Sequence, residues 1–114
     1  MNDRITDQTR ISHILDAMTE VEHYLEGISF EQFLASSEKR FATIKQLEII
    51  GEASNQITDK LKAAYPGIEW KSIRSFRNIS IHEYFGVNLK IVWEIAQNDL
   101  PILKEQFLKI LDEL

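Results

Sequence analysis

A chain of 114 residues with 44% apolar side chains, four Gly and two Pro reads as one folded domain, residues 1–114, with a single core. It has no cysteine, which excludes disulfides and thiolate metal sites and fits a reducing cytoplasm. The net charge of −5 argues against a broad nucleic-acid binder, because phosphate contacts are made largely by Lys and Arg.

Charge is unevenly placed, however. Between positions 60 and 90, Lys60, Lys62, Lys71, Arg74, Arg77 and Lys90 are offset only by Glu69 and Glu83. That balance of +4 leaves −9 for the rest of the chain, and local potential matters more to a ligand than the total. The opening MNDRITDQTRISH lacks the apolar run of a signal peptide, and no uncharged stretch is long enough to span a bilayer. A soluble protein of the cytoplasm, with no membrane contact, is expected.

In chain order, Ile11, Ile14, Leu15, Met18, Val21, Leu25 and Ile28 recur at three- and four-residue spacing and predict a first amphipathic helix. Gly27 and Ser29 close it. SFEQFLASS predicts a short extra helix with Ser29 as its N-cap. A long helix from Ser37 to about Ile57 is expected to turn Phe41, Ile44, Leu47, Ile50 and Ala53 inward. Gly51 lies inside that helix at a cost of ~1 kcal/mol relative to Ala, so a close approach by another helix or a partner chain should compensate.

Pro66 and Gly67, in YPG, make the clearest break. A helix should resume near Trp70, with Trp70, Ile73, Phe76 and Ser80 on one face, and Gly86 should end it or a loop just after it. Asn88 can cap a last helix that buries Val92, Ile95, Ala96, Leu103, Phe107, Ile110 and Leu114, with Pro101 kinking it. Strand alternation is found nowhere. The expected fold is all-α: an up-and-down four-helix bundle with a short extra helix and a kinked last helix.

The chemistry concentrates in RNISIHEYFG, residues 77–86, where polar groups interrupt an apolar segment. On a regular helix Arg77 and His82 stand about 140° apart, whereas Asn78 and His82 share a face. Arg77 and His82 therefore meet over one ligand only if the helix ends near His82 or a second copy completes the site. Taken singly, a His on an apolar helix is a structural residue, an Arg a surface charge and a Tyr half-buried core. Together, Arg77, Asn78, His82, Glu83 and Tyr84 are too polar for a bundle interior and too dispersed among Ile79, Ile81 and Phe85 for a plain solvent face.

RNISIHEY resembles the R-x4-H-x-Y motif of the HepT toxins, a branch of the HEPN superfamily of helical ribonuclease domains. EIIGEASNQI, WKSIRSFRNISIHEYFGVN and VWEIAQNDLPIL resemble further blocks of that family in order, so the likeness runs over residues 4–112. It implies an HEPN-like fold and a metal-independent endoribonuclease without cofactors. It implies a homodimer whose two motifs share one cleft, with Arg77 and His82 as the catalytic pair, and Asn78 and Glu83 as supporting residues. Tyr84 would be the tyrosine adenylylated by an MntA-type nucleotidyltransferase antitoxin.

The residue types suit that chemistry in their own right. Metal-free RNA cleavage needs deprotonation of the 2′-OH, charge stabilisation on phosphorus and protonation of the departing 5′-oxygen. Imidazole titrates near neutrality and serves either transfer, and guanidinium is a permanently charged fork matched to phosphate. Two His82 side chains across a twofold axis could divide the base and acid roles, giving a 2′,3′-cyclic phosphate.

Other residues are weaker candidates. His13 and His23 are expected on a helix surface, and no H-E-x-x-H or glycine-rich phosphate loop is present. Glu48 and Glu52 flank Gly51 and form a solvated face, unless one of them orients Arg77 or His82. The alternatives to a nuclease are a non-catalytic helical module that docks and is modified by a nucleotidyltransferase, and a structural dimerisation domain.

Overall fold

The computed structural model describes residues 2–79 and 88–114, with side chains from residue 7 onward. Helix α1 (Asn2–Leu25) forms from the apolar stripe, and Ile11, Ile14, Leu15, Met18, Val21 and Leu25 are all buried along it. It stops where Gly27 turns to φ +72°, a left-handed conformation that costs an L side chain roughly 1–2 kcal/mol.

Helix α2 (Phe30–Ala35) opens on the expected cap. Ser29 Oγ accepts from the Gln32 amide at 3.1 Å, and Gln32 Oε1 accepts from the Ser29 amide at 2.8 Å. Helix α3 (Ser37–Asn55) is capped by Ser36, whose hydroxyl accepts from the Lys39 amide at 3.1 Å. Its buried face comprises Thr43, Ile44, Leu47, Ile50, Gly51 and Ser54.

Phe41 departs from expectation: it is 37% exposed, not turned inward. Leu47 marks the buried face, and Phe41 stands about 120° around the helix from it. Ala53 is partly buried against the core as expected.

Helix α4 (Asp59–Ala64) has no counterpart among the predicted elements. It exists because Thr58 caps it, accepting from the Leu61 amide at 3.3 Å. Thr58 is anchored in turn: its amide and hydroxyl donate to the two oxygens of buried Asp7 at 3.0 and 2.6 Å. The start of α1 is thereby stitched to the α3–α4 junction. The Pro66–Gly67 turn closes through Ile68 N to Tyr65 O at 3.2 Å, and Trp70 Nε1 donates to the same carbonyl at 3.0 Å.

Helix α5 (Trp70–Ser75) buries Ile73 and then tightens into a 3-10 turn over Phe76–Asn78, after which Ile79 is extended. The expectation that the helix resuming near Trp70 carries Phe76 and later residues on one face is corrected on this point, since the α-helix ends at Ser75. The tighter coil of the turn accompanies contact of its backbone with that of α3. Ser80 and Gly86 lie outside the described residues.

Helix α6 (Leu89–Glu94) starts at Asn88, whose Oδ1 accepts from the amides of Lys90 at 3.0 Å and Ile91 at 3.2 Å. It passes through a π turn, Ile95–Asp99, into α7 (Leu100–Glu113). Pro101 explains the interruption. It offers no amide, and its ring crowds the carbonyl four residues back, so the coil widens. Leu100 N accordingly reaches back to Ile95 O. Leu103, Phe107 and Ile110 are buried, whereas Leu114 is 49% exposed beyond the last turn, contrary to expectation.

α1 packs along α3 and α7, while α5 and the 3-10 turn lie on α3 and α2 bridges α3 to α6. The fold is an all-α bundle, with no strand among the described residues. Nor is any described helix long and apolar enough to cross a membrane. Two tryptophans anchor the elements that flank residues 80–87. Trp70 meets Phe107 edge-on at 5.7 Å, and Trp93 packs on Phe30 and Phe33 at 5.8 and 5.4 Å.

Candidate active site

Arg77 sits in the 3-10 turn with an exposed side chain, and the turn rests on α3 at Gly51. A Cβ built on Gly51 would lie 2.3 Å from Arg77 N, 2.9 Å from Phe76 C and 3.0 Å from Arg77 Cα. Only a residue without a side chain admits a backbone that close. This is the close approach expected to compensate for glycine within a helix. Ser54, buried one turn further on, donates to the Gly51 carbonyl at 2.9 Å.

Glu52, next to that glycine, places Oε2 3.7 Å from Arg77 Nη1. Both side chains are substantially exposed, at 56% for the glutamate and 40% for the arginine. Such a pair contributes less than about 1 kcal/mol to stability, so its consequence is orientation. The other oxygen, Oε1, accepts from Gln56 Nε2 at 3.3 Å, and the Gln56 carbonyl accepts from Arg10 Nη1 at 3.3 Å. Glu52 is thus more than part of a solvated face. Glu48 pairs instead with Lys45 at 3.1 Å. Gln56 was missed in the sequence, although its i,i+4 spacing from Glu52 was visible.

Asn78 follows Arg77 in the same turn and is exposed. His82, Glu83 and Tyr84 lie outside the described residues. Lys60, Lys71, Arg74 and Lys90 are exposed, and Lys62 is half-buried. His13 and His23 are exposed on α1. Among the described residues no group of three His, Cys, Asp or Glu is placed to hold a metal ion. A cavity of about 510 Å³ lies elsewhere, lined by His23, Glu26 and Gln97 among others, and shares no residue with the surroundings of Arg77. Tyr65 donates to Glu113 Oε1 at 2.5 Å, and this bond to a carboxylate raises the phenol's pKa above its ordinary 10.0.

The family model described as "Ribonuclease HepT-like" matches residues 14–110, which include α3, the 3-10 turn and α6. The chain belongs to the HepT-like ribonuclease family. It is an enzyme of the ribonuclease class, in agreement with the sequence reading.

Each of three similar proteins has ribonuclease or RNase in its name. A Thermococcus cleftensis protein named "Probable ribonuclease HepT" is 38% identical over 100 residues, covering 88% of this chain and 91% of that protein. A Caldanaerobacter subterraneus protein named "Putative RNase" is 35% identical over 108 residues, covering 95% and 96%. A Methanocaldococcus jannaschii protein named "Gamma-glutamylcyclotransferase and putative RNase" is 38% identical over 104 residues. That match covers 91% of this HepT-like chain but only 47% of the longer protein. No solved structure shows a significant match to the chain.

Proposed function

We propose that this HepT-like chain is the toxin of a toxin–antitoxin pair, a metal-independent endoribonuclease of the cytoplasm that works as a homodimer. The observation that carries the reading is the exposed Arg77 guanidinium on a turn seated against Gly51, within a chain of the HepT-like ribonuclease family. A guanidinium fixed at its backbone and open to solvent suits a phosphodiester.

In the proposed reaction one His82 removes the proton of the 2′-OH, and the freed oxygen attacks phosphorus. Arg77 balances the charge gathering on the phosphoryl oxygens. The bond to the 5′-oxygen breaks as the partner subunit's His82 protonates it, leaving a 2′,3′-cyclic phosphate and a 5′-hydroxyl. Asn78 and Glu83 support the pair. Adenylylation of Tyr84 by an MntA-type nucleotidyltransferase would put an anion two residues from His82 and compete with substrate phosphate.

The net charge of −5 favours a second reading, a non-catalytic module that the nucleotidyltransferase docks on and modifies. Incubating the purified chain with RNA separates the two. New ends that are 2′,3′-cyclic phosphates, lost in His82→Ala with the melting curve preserved, support the nuclease. Intact RNA, or cleavage unchanged in His82→Ala, leaves the docking reading. Mass spectrometry after co-expression with a neighbouring nucleotidyltransferase checks Tyr84, since an inactive complex with unmodified Tyr84 contradicts covalent control.

A further inference from the structure

We infer that Glu52, braced by Gln56, is a positioning residue that holds the Arg77 guanidinium in register for substrate phosphate. The inference rests on the reading that Arg77 contacts that phosphate. Close backbone approach at Gly51 fixes where Arg77 leaves the chain, because a Cβ there would meet the Phe76–Arg77 peptide and the Arg77 Cα. It does not fix the guanidinium, which lies at the end of a long, flexible side chain with 40% of its surface exposed. Glu52 meets that need.

It is adjacent to Gly51 on α3, so the residue that admits the turn and the one that reaches for the arginine share one helical turn. The two carboxylate oxygens have separate duties: Oε1 accepts from Gln56 at 3.3 Å and Oε2 faces Arg77 Nη1 at 3.7 Å. Bracing by Gln56 reduces the rotamers open to Glu52 and so directs Oε2. The Gln56 backbone is held by Arg10, and Thr58, two residues on, by Asp7, so the brace is fastened to α1.

A carboxylate beside a phosphate site also repels phosphate, and this makes the sign of the effect informative. A positioning role predicts that removing the charge slows cleavage. An electrostatic competitor would have the reverse effect, with tighter RNA binding and faster cleavage. The pair is exposed and engages Nη1 alone, so the other donors of the guanidinium stay open to substrate while Glu52 faces it.

The test is Glu52→Gln in the full-length chain, read by RNA cleavage at saturating substrate and by the Arg77 Nε–Hε resonance in a ¹⁵N spectrum. The expected result is a shifted Arg77 resonance and a kcat lower by roughly tenfold. KM and melting temperature should stay near wild type, and Glu52→Asp should recover part of the rate. In an Arg77→Lys background, Glu52→Gln should cost less than about twofold, because two residues acting through one contact are not additive.

An unmoved Arg77 resonance, an undiminished rate or faster cleavage overturns the inference. Full activity in Arg77→Ala overturns the nuclease reading itself, whatever Glu52 does. An inactive Arg77→Ala together with a Glu52→Gln chain of normal rate and unmoved resonance overturns the positioning role alone.

Discussion

The bundle core and the seam between α3 and the 3-10 turn are held by different physics. In the core, Ile14, Met18, Ile44, Leu47, Phe107 and Ile110 are fully buried, and what matters there is apolar volume. At the seam two backbones meet at Gly51, no side chain intervenes, and the adjoining charges of Glu52 and Arg77 stay in water. The core can accept another hydrophobe of similar volume, but the seam accepts only the absence of a side chain. Stability resides mainly in the first region and the placement of functional groups in the second.

Core truncation gives the largest expected effect on stability. Phe107→Ala should cost about 3–5 kcal/mol in denaturant unfolding, because a fully buried ring that also meets Trp70 leaves a cavity. A loss under about 1 kcal/mol would show that the core closes over the gap.

Gly51→Ala sharpens the contrast through its sign. Helix propensity alone predicts stabilisation by ~1 kcal/mol. A Cβ 2.3 Å from Arg77 N predicts a net loss of about 1–3 kcal/mol together with slower RNA cleavage. A stabilised, fully active Gly51→Ala chain would mean that the turn is not seated on α3 as described.

A smaller effect concerns binding. Lys71 and Arg74 are exposed on α5, just before the turn. Charge reversal at both should weaken RNA binding by about tenfold at low salt, and the difference should shrink as salt rises. A loss independent of salt would indicate damage to the fold instead of weakened attraction.

The smallest effect lies far from the seam, at Tyr65 and Glu113. Hydrogen bonding to the carboxylate raises the phenol's pKa above 10.0 in the folded chain. Its contribution is therefore complete below the unfolded phenol's pKa and lost as pH rises through the folded value. Melting temperatures of wild type and Tyr65→Phe should differ slightly at neutral pH and converge in alkali above pH 10. A gap that widens there would give the linkage the wrong sign.

Much of this contrast was legible in the sequence. The α1 stripe, the Ser29 cap, the Asn88 cap and the interruption before Pro101 are local, and each is written within a few adjacent residues. Gly51 was legible as an anomaly, since a glycine inside a helix demands a neighbour. Which backbone it admits was not, because that contact joins residues far apart in sequence.

The misplacement of Phe41 has a similar cause. The buried face of α3 includes Thr43, Gly51 and Ser54, small or polar residues that a hydrophobic pattern passes over, so the stripe appears rotated toward Phe41. Helix α4 was hidden because its cap, Thr58, depends on Asp7 at the start of the chain. At the candidate site, Arg77 and the alternative role for Glu52 were visible from motif and spacing. The shortening of α5 into a 3-10 turn was not, because it accompanies a tertiary contact and no breaker residue marks it.

Everything functional in this account depends on Arg77 meeting phosphate. The direct measurement is the single-turnover rate of RNA cleavage by Arg77→Ala at saturating enzyme, beside matched melting curves. The predicted result is a rate at least about a hundredfold lower with unfolding unchanged. Cleavage at the wild-type rate, by a chain that is equally well folded, would contradict it.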